Sequence, residues 1–436
     1  MEPIVVGYLG IGVLILLLFT GMHIGAVMGI IGFAGIVYLL GWGPGLGILQ
    51  TVPYNTWANY NFSVIPLFVL MGEFCFRSKI STDLYTAAYK FLGGLRGGLA
   101  MATVGACAAF AAVSGSSIAT AATMGTVALP EMKKRNYDMS LATGSVAAGG
   151  TLGILIPPSV ILVVYGMLTM QSIGTLFLAG FVPGVLQAIL FILLIAFICW
   201  RNPSLGPGAE RFGWKEKFLS LRSAWIVVLL FVIVIGGIYA GWFSPTEGAG
   251  VGAAVAFIFA LARRTMGWKG FRAALLETAR TSGMIFFIMC GAMILGYFFA
   301  ITRLPHEFAT MVSGFELNPY VIWILIIILY LVLGCLMDTM AMVLLTVPII
   351  FPLMCGPAGL GFDPIWFGIM VVIVAETGMI TPPVGMNLFV IKGMAPEVPT
   401  IQIYKGILPY VVMNIFILFL YTLVPGIILF LPALLG

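Results

Sequence analysis

Charged side chains are nearly missing: Asp, Glu, Lys and Arg make up 8% of the 436 residues, while 61% are hydrophobic. No ordinary soluble domain balances so little charge against so much apolar chain, so a water-soluble globular fold is excluded. Histidine is almost absent as well. His23 and His306 are the only two; they stand alone near the ends of apolar runs, so no nucleophile–base pair forms around them and an intramembrane enzyme is disfavoured. His23 reads as a turn residue between the first two spans. The six cysteines (Cys75, Cys107, Cys199, Cys290, Cys335, Cys355) are scattered through apolar runs without metal-ligand spacing, and read as small buried hydrophobes. Long polar stretches are missing too: the longest runs from Arg201 to Arg222, which leaves no soluble domain. No Lys or Arg precedes the first apolar run and no cleavage site follows it, so that run reads as a retained span rather than a signal peptide. The net charge of +5 resides in short interhelical segments, which suits topology determinants and not a nucleic-acid surface.

What the chain has is apolar runs of spanning length, about 17–25 residues. They predict an all-α polytopic membrane protein with spans over 4–20, 24–41, 62–77, 139–170, 174–200, 223–242, 246–262, 282–301, 364–394 and 406–432. Two further segments, 97–132 and 318–355, are interrupted near their centres, at Ser114-Gly115-Ser116-Ser117 and at Gly334-Cys335-Leu336-Met337-Asp338-Thr339, and read as re-entrant hairpins. The 54 glycines fit close helix packing in lipid. Basic residues in short loops favour the cytoplasm. Placing 201–222 inside puts both termini outside, gathers Arg77, Lys79, Lys133, Lys134, Arg135, Arg263, Arg264 and Arg280 inside, and leaves only Arg303 outside. The aromatic segment 42–61 (Trp42, Tyr54, Trp57, Tyr60) then forms an outer loop, and 79–95 and 266–280 form amphipathic basic arms in the inner interface, in contact with lipid headgroups.

The chain repeats itself. Gly150-Thr151-Leu152-Gly153-Ile154-Leu155-Ile156-Pro157-Pro158 matches Ala375-Glu376-Thr377-Gly378-Met379-Ile380-Thr381-Pro382-Pro383. Phe68-Val69-Leu70-Met71-Gly72 matches Phe287-Ile288-Met289-Cys290-Gly291, Ser116 to Ala119 aligns loosely with Asp338 to Ala341, and Pro130 aligns with Pro352, all in the same order. By alternation one hairpin opens inside and the other outside, so the repeat is inverted. Each Pro-Pro pair must break its helix. Lipid cannot satisfy the freed backbone groups, so such breaks survive only inside protein or beside a polar cavity. Paired broken helices in two halves point to a transporter's binding site. The division expected is 1–61, N-terminal scaffold helices and outer loop; 62–170, repeat 1; 171–262, scaffold helices; 263–395, repeat 2; and 396–436, a C-terminal helix.

Polar residues at membrane depth are costly and default to function. Ser114, Ser116 and Ser117 crowd the first tip and suit ion or substrate contact, with helix packing as the bland alternative; Thr120 and Thr123 lean to packing. Asp338, at the second tip, is open to two roles, attracting a cation or capping the half-helix that starts there. Glu376 is open to three: lining the cavity, tuning a cation site, or an internal ion pair. Thr377 and Thr381 flank the same break, and Asn387 beyond it either contacts ligand or bonds to a neighbouring helix. Unwound carbonyls suit Na+, half-helix N-termini suit a carboxylate or sulfonate, and the hydroxyl-rich first tip, which has no thiol, speaks against soft metals.

Ser114-Gly115-Ser116-Ser117 followed by Ala119 to Gly125, the run Gly149 to Ser159, and Thr381-Pro382-Pro383-Val384-Gly385-Met386-Asn387-Leu388-Phe389 together resemble the large membrane subunit of tripartite ATP-independent periplasmic (TRAP) transporters, along essentially the whole chain. The resemblance implies a scaffold, a mobile transport domain holding both hairpins and both broken helices, and Na+-driven uptake of a small organic anion by an elevator motion in the bacterial inner membrane. It also implies a small four-helix membrane subunit, expected as a separate polypeptide, and a periplasmic substrate-binding protein. One Na+ site would lie among Ser114, Gly115, Ser116, Gly150, Thr151 and Gly153, and another among Gly334, Leu336, Asp338, Glu376, Thr377, Gly378 and Thr381. Substrate contacts would come from Ser116, Ser117, Pro158, Ser159, Thr339, Pro383 and Asn387. C4-dicarboxylates, other carboxylates and sulfonates stay open. The rival readings are a stand-alone Na+–carboxylate symporter and a passive pore.

Overall fold

In a computed structural model, which describes residues 1–435 other than 209, 211, 315, 316, 357 and 358, the chain is a bundle of helices without a strand among the described residues. Among the described residues five helices are long and apolar enough to cross a membrane, and the pair Met139–Leu155 and Val160–Thr169, bent by 42° at its break, makes a sixth if it is counted as one span.

The first half runs α1 (Pro3–Leu18), α2 (Ile24–Leu40), α3 (Trp42–Trp57), α4 (Val64–Arg77), α5 (Ile80–Leu92), then hairpin α6 (Gly98–Ser114) and α7 (Ser117–Lys134), the broken pair α8 (Met139–Leu155) and α9 (Val160–Thr169), and α10 (Ile173–Arg201). The second half runs α11 (Trp214–Tyr239), α12 (Pro245–Ala262), α13 (Trp268–Thr302), α14 (Leu304–Ser313), hairpin α15 (Pro319–Gly334) and α16 (Thr339–Cys355), the broken pair α17 (Pro364–Met379) and α18 (Met386–Met394), then α19 (Thr400–Leu423) and α20 (Gly426–Leu435). Side-chain caps set many starts. Asp138 accepts from Ser140 N at 2.7 Å to begin α8, and Asp363 accepts from Ile365 N and Trp366 N at 2.8 and 2.9 Å to begin α17. Ser244 and Glu247 form a reciprocal capping box at α12, with Pro245 in the first turn.

Two helices show that the repeats are inverted. α10 and α19 follow the two broken pairs in corresponding positions, and each carries an interior proline, Pro183 and Pro409. Gln187 Nε2 donates to Asn414 Oδ1 at 2.9 Å, and Tyr421 Oη donates to the Pro183 carbonyl at 3.0 Å. The order reverses between the two contacts, so the helices are antiparallel. The base of the first hairpin is tied just beyond the end of α10, by Gly97 N to Gly206 O at 2.8 Å and Asp138 N to Leu205 O at 2.9 Å. The base of the second is tied to the end of α19, by Trp323 Nε1 to Thr422 Oγ1 at 3.0 Å. The hairpins therefore enter from opposite ends of the bundle.

Gln187 and Asn414 are both buried. Truncating one leaves the other orphaned, at about 1–3 kcal/mol, whereas replacing both by leucine costs less. Thermal unfolding of purified Gln187→Leu, Asn414→Leu and the double variant checks this: the double variant should melt above at least one of the singles, and strictly additive losses would refute the pairing.

Several boundaries differ from expectation. The predicted outer loop 42–61 contains α3. The predicted arm 266–280 and span 282–301 are one helix, α13, 35 residues and about 50 Å long. Gly283 is the sole helix breaker at the expected joint, and one glycine costs a helix only about 1 kcal/mol. α5 joins α4 to the first hairpin, so its counterpart is α14, which joins α13 to the second. α11 begins at Trp214, inside the expected loop. The single C-terminal helix is two, because Pro425 interrupts 406–432. α10, grouped with the scaffold by sequence, packs instead against α6, α8, α9, α17, α19 and α20.

The packing falls into two sets. α2, α4, α12 and α13 form a frame, in which α2 and α13 approach so closely that a Cβ on Gly291 would stand 2.1 Å from the Gly25 carbonyl oxygen. The hairpins, broken pairs, α10 and α19 form a second body around α8.

Candidate functional site

Each hairpin tip meets the broken helix of its own repeat through glycines. A Cβ on Gly153 would stand 2.6 Å from both the Ser116 carbonyl oxygen and Thr120 Oγ1; one on Gly150, 3.2 Å from the Ser117 carbonyl oxygen; and one on Gly115, 3.2 Å from that of Pro158. Gly115 has φ +62°, which favours glycine. In the second repeat Gly334 and Gly378 lie face to face, a Cβ on Gly334 reaching to 2.6 Å of the Gly378 Cα. Both tips thus pack closely on the last turns of the first half of their broken helices, at Gly150 and Gly153 in α8 and at Gly378 in α17. Pro157-Pro158 and Pro382-Pro383 are both cis.

The hydroxyls divide by what they already bond. Ser114 Oγ lies 2.6 Å from Thr120 Oγ1, Ser116 Oγ accepts from Ala119 N at 3.3 Å as the cap of α7, and Asp338 Oδ1 accepts from Ala341 N at 2.9 Å as the cap of α16. Asp338 therefore does cap its half-helix, with its second oxygen available for a further role. Thr151, Thr377 and Thr381 donate into their own helices, to Ala148, Ile373 and Thr377 carbonyls at 2.7, 2.7 and 2.6 Å, which leaves them only acceptor capacity. Leu336 is exposed, so only its backbone can serve the tip.

Glu376 is 2% exposed. Its Oε1 accepts from Thr339 Oγ1 at 2.7 Å, and its Oε2 has no hydrogen-bond partner among the described residues. No ion pair reaches it among those residues, so the internal-pair reading is set aside. A buried carboxyl oxygen without a partner is rare, and carboxylate oxygens suit a hard cation.

One cavity, of about 520 Å³, takes in both tips: Ser114 to Ser117 from the first, Asp338 and Thr339 from the second. Its remaining polar wall comes from Glu73 and Arg77 of α4, Glu277 and Thr281 of α13, and Thr123 and Thr126 of α7. Of the expected substrate contacts, Ser116, Ser117 and Thr339 line it. Pro158 and Ser159 lie buried behind the first tip, where Ser159 caps α9 by accepting from Leu162 N at 3.3 Å. Pro383 is exposed, its carbonyl taken by Tyr404 Oη, and Asn387 is fully buried with neither amide atom bonded among the described residues. Sequence reasoning read Arg77, the last residue of α4, only as a topology charge, and passed over Glu73, one turn before it, and Glu277 in the first half of α13.

The first tip carries only oxygen donors, while the second also holds the Cys335 thiol, 3.5 Å from the Thr381 carbonyl oxygen; no group of three His, Cys, Asp or Glu gathers among the described residues. Hydroxyl, carbonyl and carboxylate oxygens fit a hard cation.

Known proteins bear on this geometry. A solved transporter structure, that of the Alcanivorax borkumensis YdaH transporter, shares the fold, with TM-score 0.60 at 13% identity, covering 98% of this chain and all 100% of that one. The C4-dicarboxylate TRAP transporter large permease protein DctM of Pseudomonas aeruginosa is 38% identical over 384 residues, 88% of each chain. The isethionate TRAP transporter permease protein DctMQ of Oleidesulfovibrio alaskensis is 33% identical over 98% of this chain and 66% of that longer one. The family model described as "Tripartite ATP-independent periplasmic transporter, DctM component" matches residues 11–427. A multi-pass membrane protein built for transport and not for catalysis, the chain belongs to the DctM family, the large membrane subunit of tripartite ATP-independent periplasmic transporters.

Proposed function

We propose that this chain drives Na+-coupled uptake of a small organic anion, a carboxylate or sulfonate, with the hairpin-bearing body moving as an elevator against the frame. The observation that carries the reading is the single cavity onto which two hairpin tips converge from opposite ends of the bundle. The half-helices α7 and α16 both begin there, and their N-terminal partial charges favour an anion between Ser116, Ser117 and Thr339. Tip and break carbonyls, with Asp338 and Glu376, favour Na+ on either side of it, and each cation also offsets the anion's charge. Moving one net positive charge inward gains about 2.3 kcal/mol per 100 mV, so extra Na+ concentrates substrate. The relatives named for C4-dicarboxylate and isethionate support the substrate class.

In this reading the chain lies in the bacterial inner membrane with both termini periplasmic and the segment before α11 cytoplasmic. The cavity, walled by the end of α4 and the first half of α13, then faces inward. α5, tied to the frame by Arg263 to Asp83, and its counterpart α14 are the arms between frame and moving body. A small four-helix membrane subunit enlarges the frame. A periplasmic binding protein docks on the outer face, opens, and hands over the anion.

Asp338→Asn separates charge from capping, since asparagine caps as well as aspartate. Asp338→Asn and Ser116→Ala should each raise the Na+ needed for half-maximal uptake about tenfold, equivalent to 1.4 kcal/mol. Unchanged Na+ dependence in both variants would remove these residues from the cation sites.

A further inference from the structure

The frame side of the cavity carries a charged group that the Na+–anion reading, on which this inference rests, does not use. Arg77 is the single Lys or Arg among the residues lining the cavity. Its Nε donates to Glu73 Oε2 at 3.2 Å, and a terminal nitrogen lies 3.1 Å from the same oxygen. The two side chains are only 26% and 20% exposed. Across from them on α13 stand Glu277 and Thr281, and the hairpin tips complete the wall.

We propose that Arg77 is a second anion-binding station, on the frame, and that Glu73 is its resident counter-anion, displaced by a substrate carboxylate or sulfonate leaving the tips. A guanidinium presents five N–H donors in a planar fork suited to two acceptor oxygens. Glu73 engages it through one oxygen, so the fork is incompletely matched and a free carboxylate or sulfonate matches it better. The pair is an i,i+4 contact to a single carboxylate oxygen with a fifth to a quarter of each side chain in solvent, so an anion that offers two oxygens competes with it. Three carboxylates line the cavity, Glu73, Glu277 and Asp338, so an anion there is repelled except beside Arg77 or a bound cation. The station needs neither tip nor Na+, which separates it from the site between the half-helices. It serves release: once Na+ leaves the tips, Arg77 is the remaining positive charge in the cavity. A bland role exists, since an arginine in the last turn of α4 also complements the helix dipole and marks the cytoplasmic end. Lysine fills that role equally well but lacks the fork, so Arg77→Lys tells the two apart.

The test measures binding of labelled succinate and labelled isethionate to the purified complex of this chain with its small membrane subunit, in K+ buffer without Na+. Wild type, Arg77→Lys and Glu73→Gln are compared, and each is also assayed for Na+-driven accumulation in proteoliposomes. The station predicts weak Na+-independent binding of at least one anion in wild type. Glu73→Gln, which frees the fork, should tighten it about fivefold or more, and Arg77→Lys should weaken it as much. In proteoliposomes Arg77→Lys should slow maximal uptake while leaving the external KM within about twofold. No Na+-independent binding of either anion in wild type or Glu73→Gln overturns the station, as does binding indifferent to both substitutions. Intact Na+-independent binding without Na+-driven accumulation in wild type overturns the transport reading instead.

Discussion

Gly153→Ala and Gly378→Ala should each raise the Na+ needed for half-maximal uptake about 5- to 150-fold in a chain that still inserts and folds. The added methyl on Gly153 would sit 2.6 Å from the Ser116 carbonyl oxygen, and that on Gly378 would sit 2.8 Å from the Gly334 Cα. Neither neighbour is a flexible side-chain end, so the tip must move off its broken helix. Overpacking of this kind costs about 1–3 kcal/mol. In a transporter that cost falls on the state in which tip and break close together, and lowers cation affinity by a factor of about 5 to 150. Gly12→Ala is the control, because nothing lies within 4 Å of a Cβ built there. Uptake against Na+ concentration, with expression and monodispersity matched, gives the comparison. Normal Na+ affinity in both tip variants would mean that the tips do not bind the coupling ion.

Glu376 should be the most sensitive single side chain. It is buried between Thr339, which donates to it at 2.7 Å, and the backbone of its own break, with one oxygen unpartnered among the described residues. An anionic carboxylate in such a place is stable only beside a cation. Glu376→Ala removes the Thr339 partner along with the charge, whereas Glu376→Gln keeps an acceptor for the Thr339 hydroxyl and removes the charge alone. Both are expected to cut uptake at limiting Na+ by more than about tenfold, roughly 1.4 kcal/mol or more of lost cation stabilisation. Uptake by Glu376→Gln at wild-type levels, with Glu376→Ala impaired, would reduce the residue to a hydrogen-bond partner of Thr339.

The features that break a helix were legible in the sequence, and those that continue one were not. Pro157-Pro158 and Pro382-Pro383 forced breaks because proline lacks a donor, and Ser114 to Ser117 announced a tip because glycine and serine interrupt an apolar run. The fusion of 266–280 with 282–301 into α13 could not be read, since the polarity change at Thr281-Ser282-Gly283 resembles a joint while the backbone has little reason to stop there. Ser116, Ser117 and Asp338 stood out by their depth and Thr339 only through the resemblance, and all four line the cavity. Arg77 did not stand out as a site residue, because a basic residue at the end of a span has an ordinary explanation in topology, and Glu73 received no reading at all. Only the approach of α4 to the first tip, where a Cβ on Gly72 would stand 3.1 Å from the Ser114 carbonyl oxygen, brings them into the cavity. Asn387, just past a break, was open to ligand contact or to bonding a neighbouring helix; it is fully buried and is not among the residues lining the cavity.

The central claim is that Na+ drives accumulation of an anion handed over by a binding protein. Uptake of labelled succinate and isethionate into proteoliposomes holding this chain and its small membrane subunit tests it most directly, with and without the partner binding protein, and with Na+ or K+ outside. The account predicts accumulation above the external concentration only when Na+ and the binding protein are both present. Accumulation in K+, equal uptake without the binding protein, or mere equilibration would contradict it.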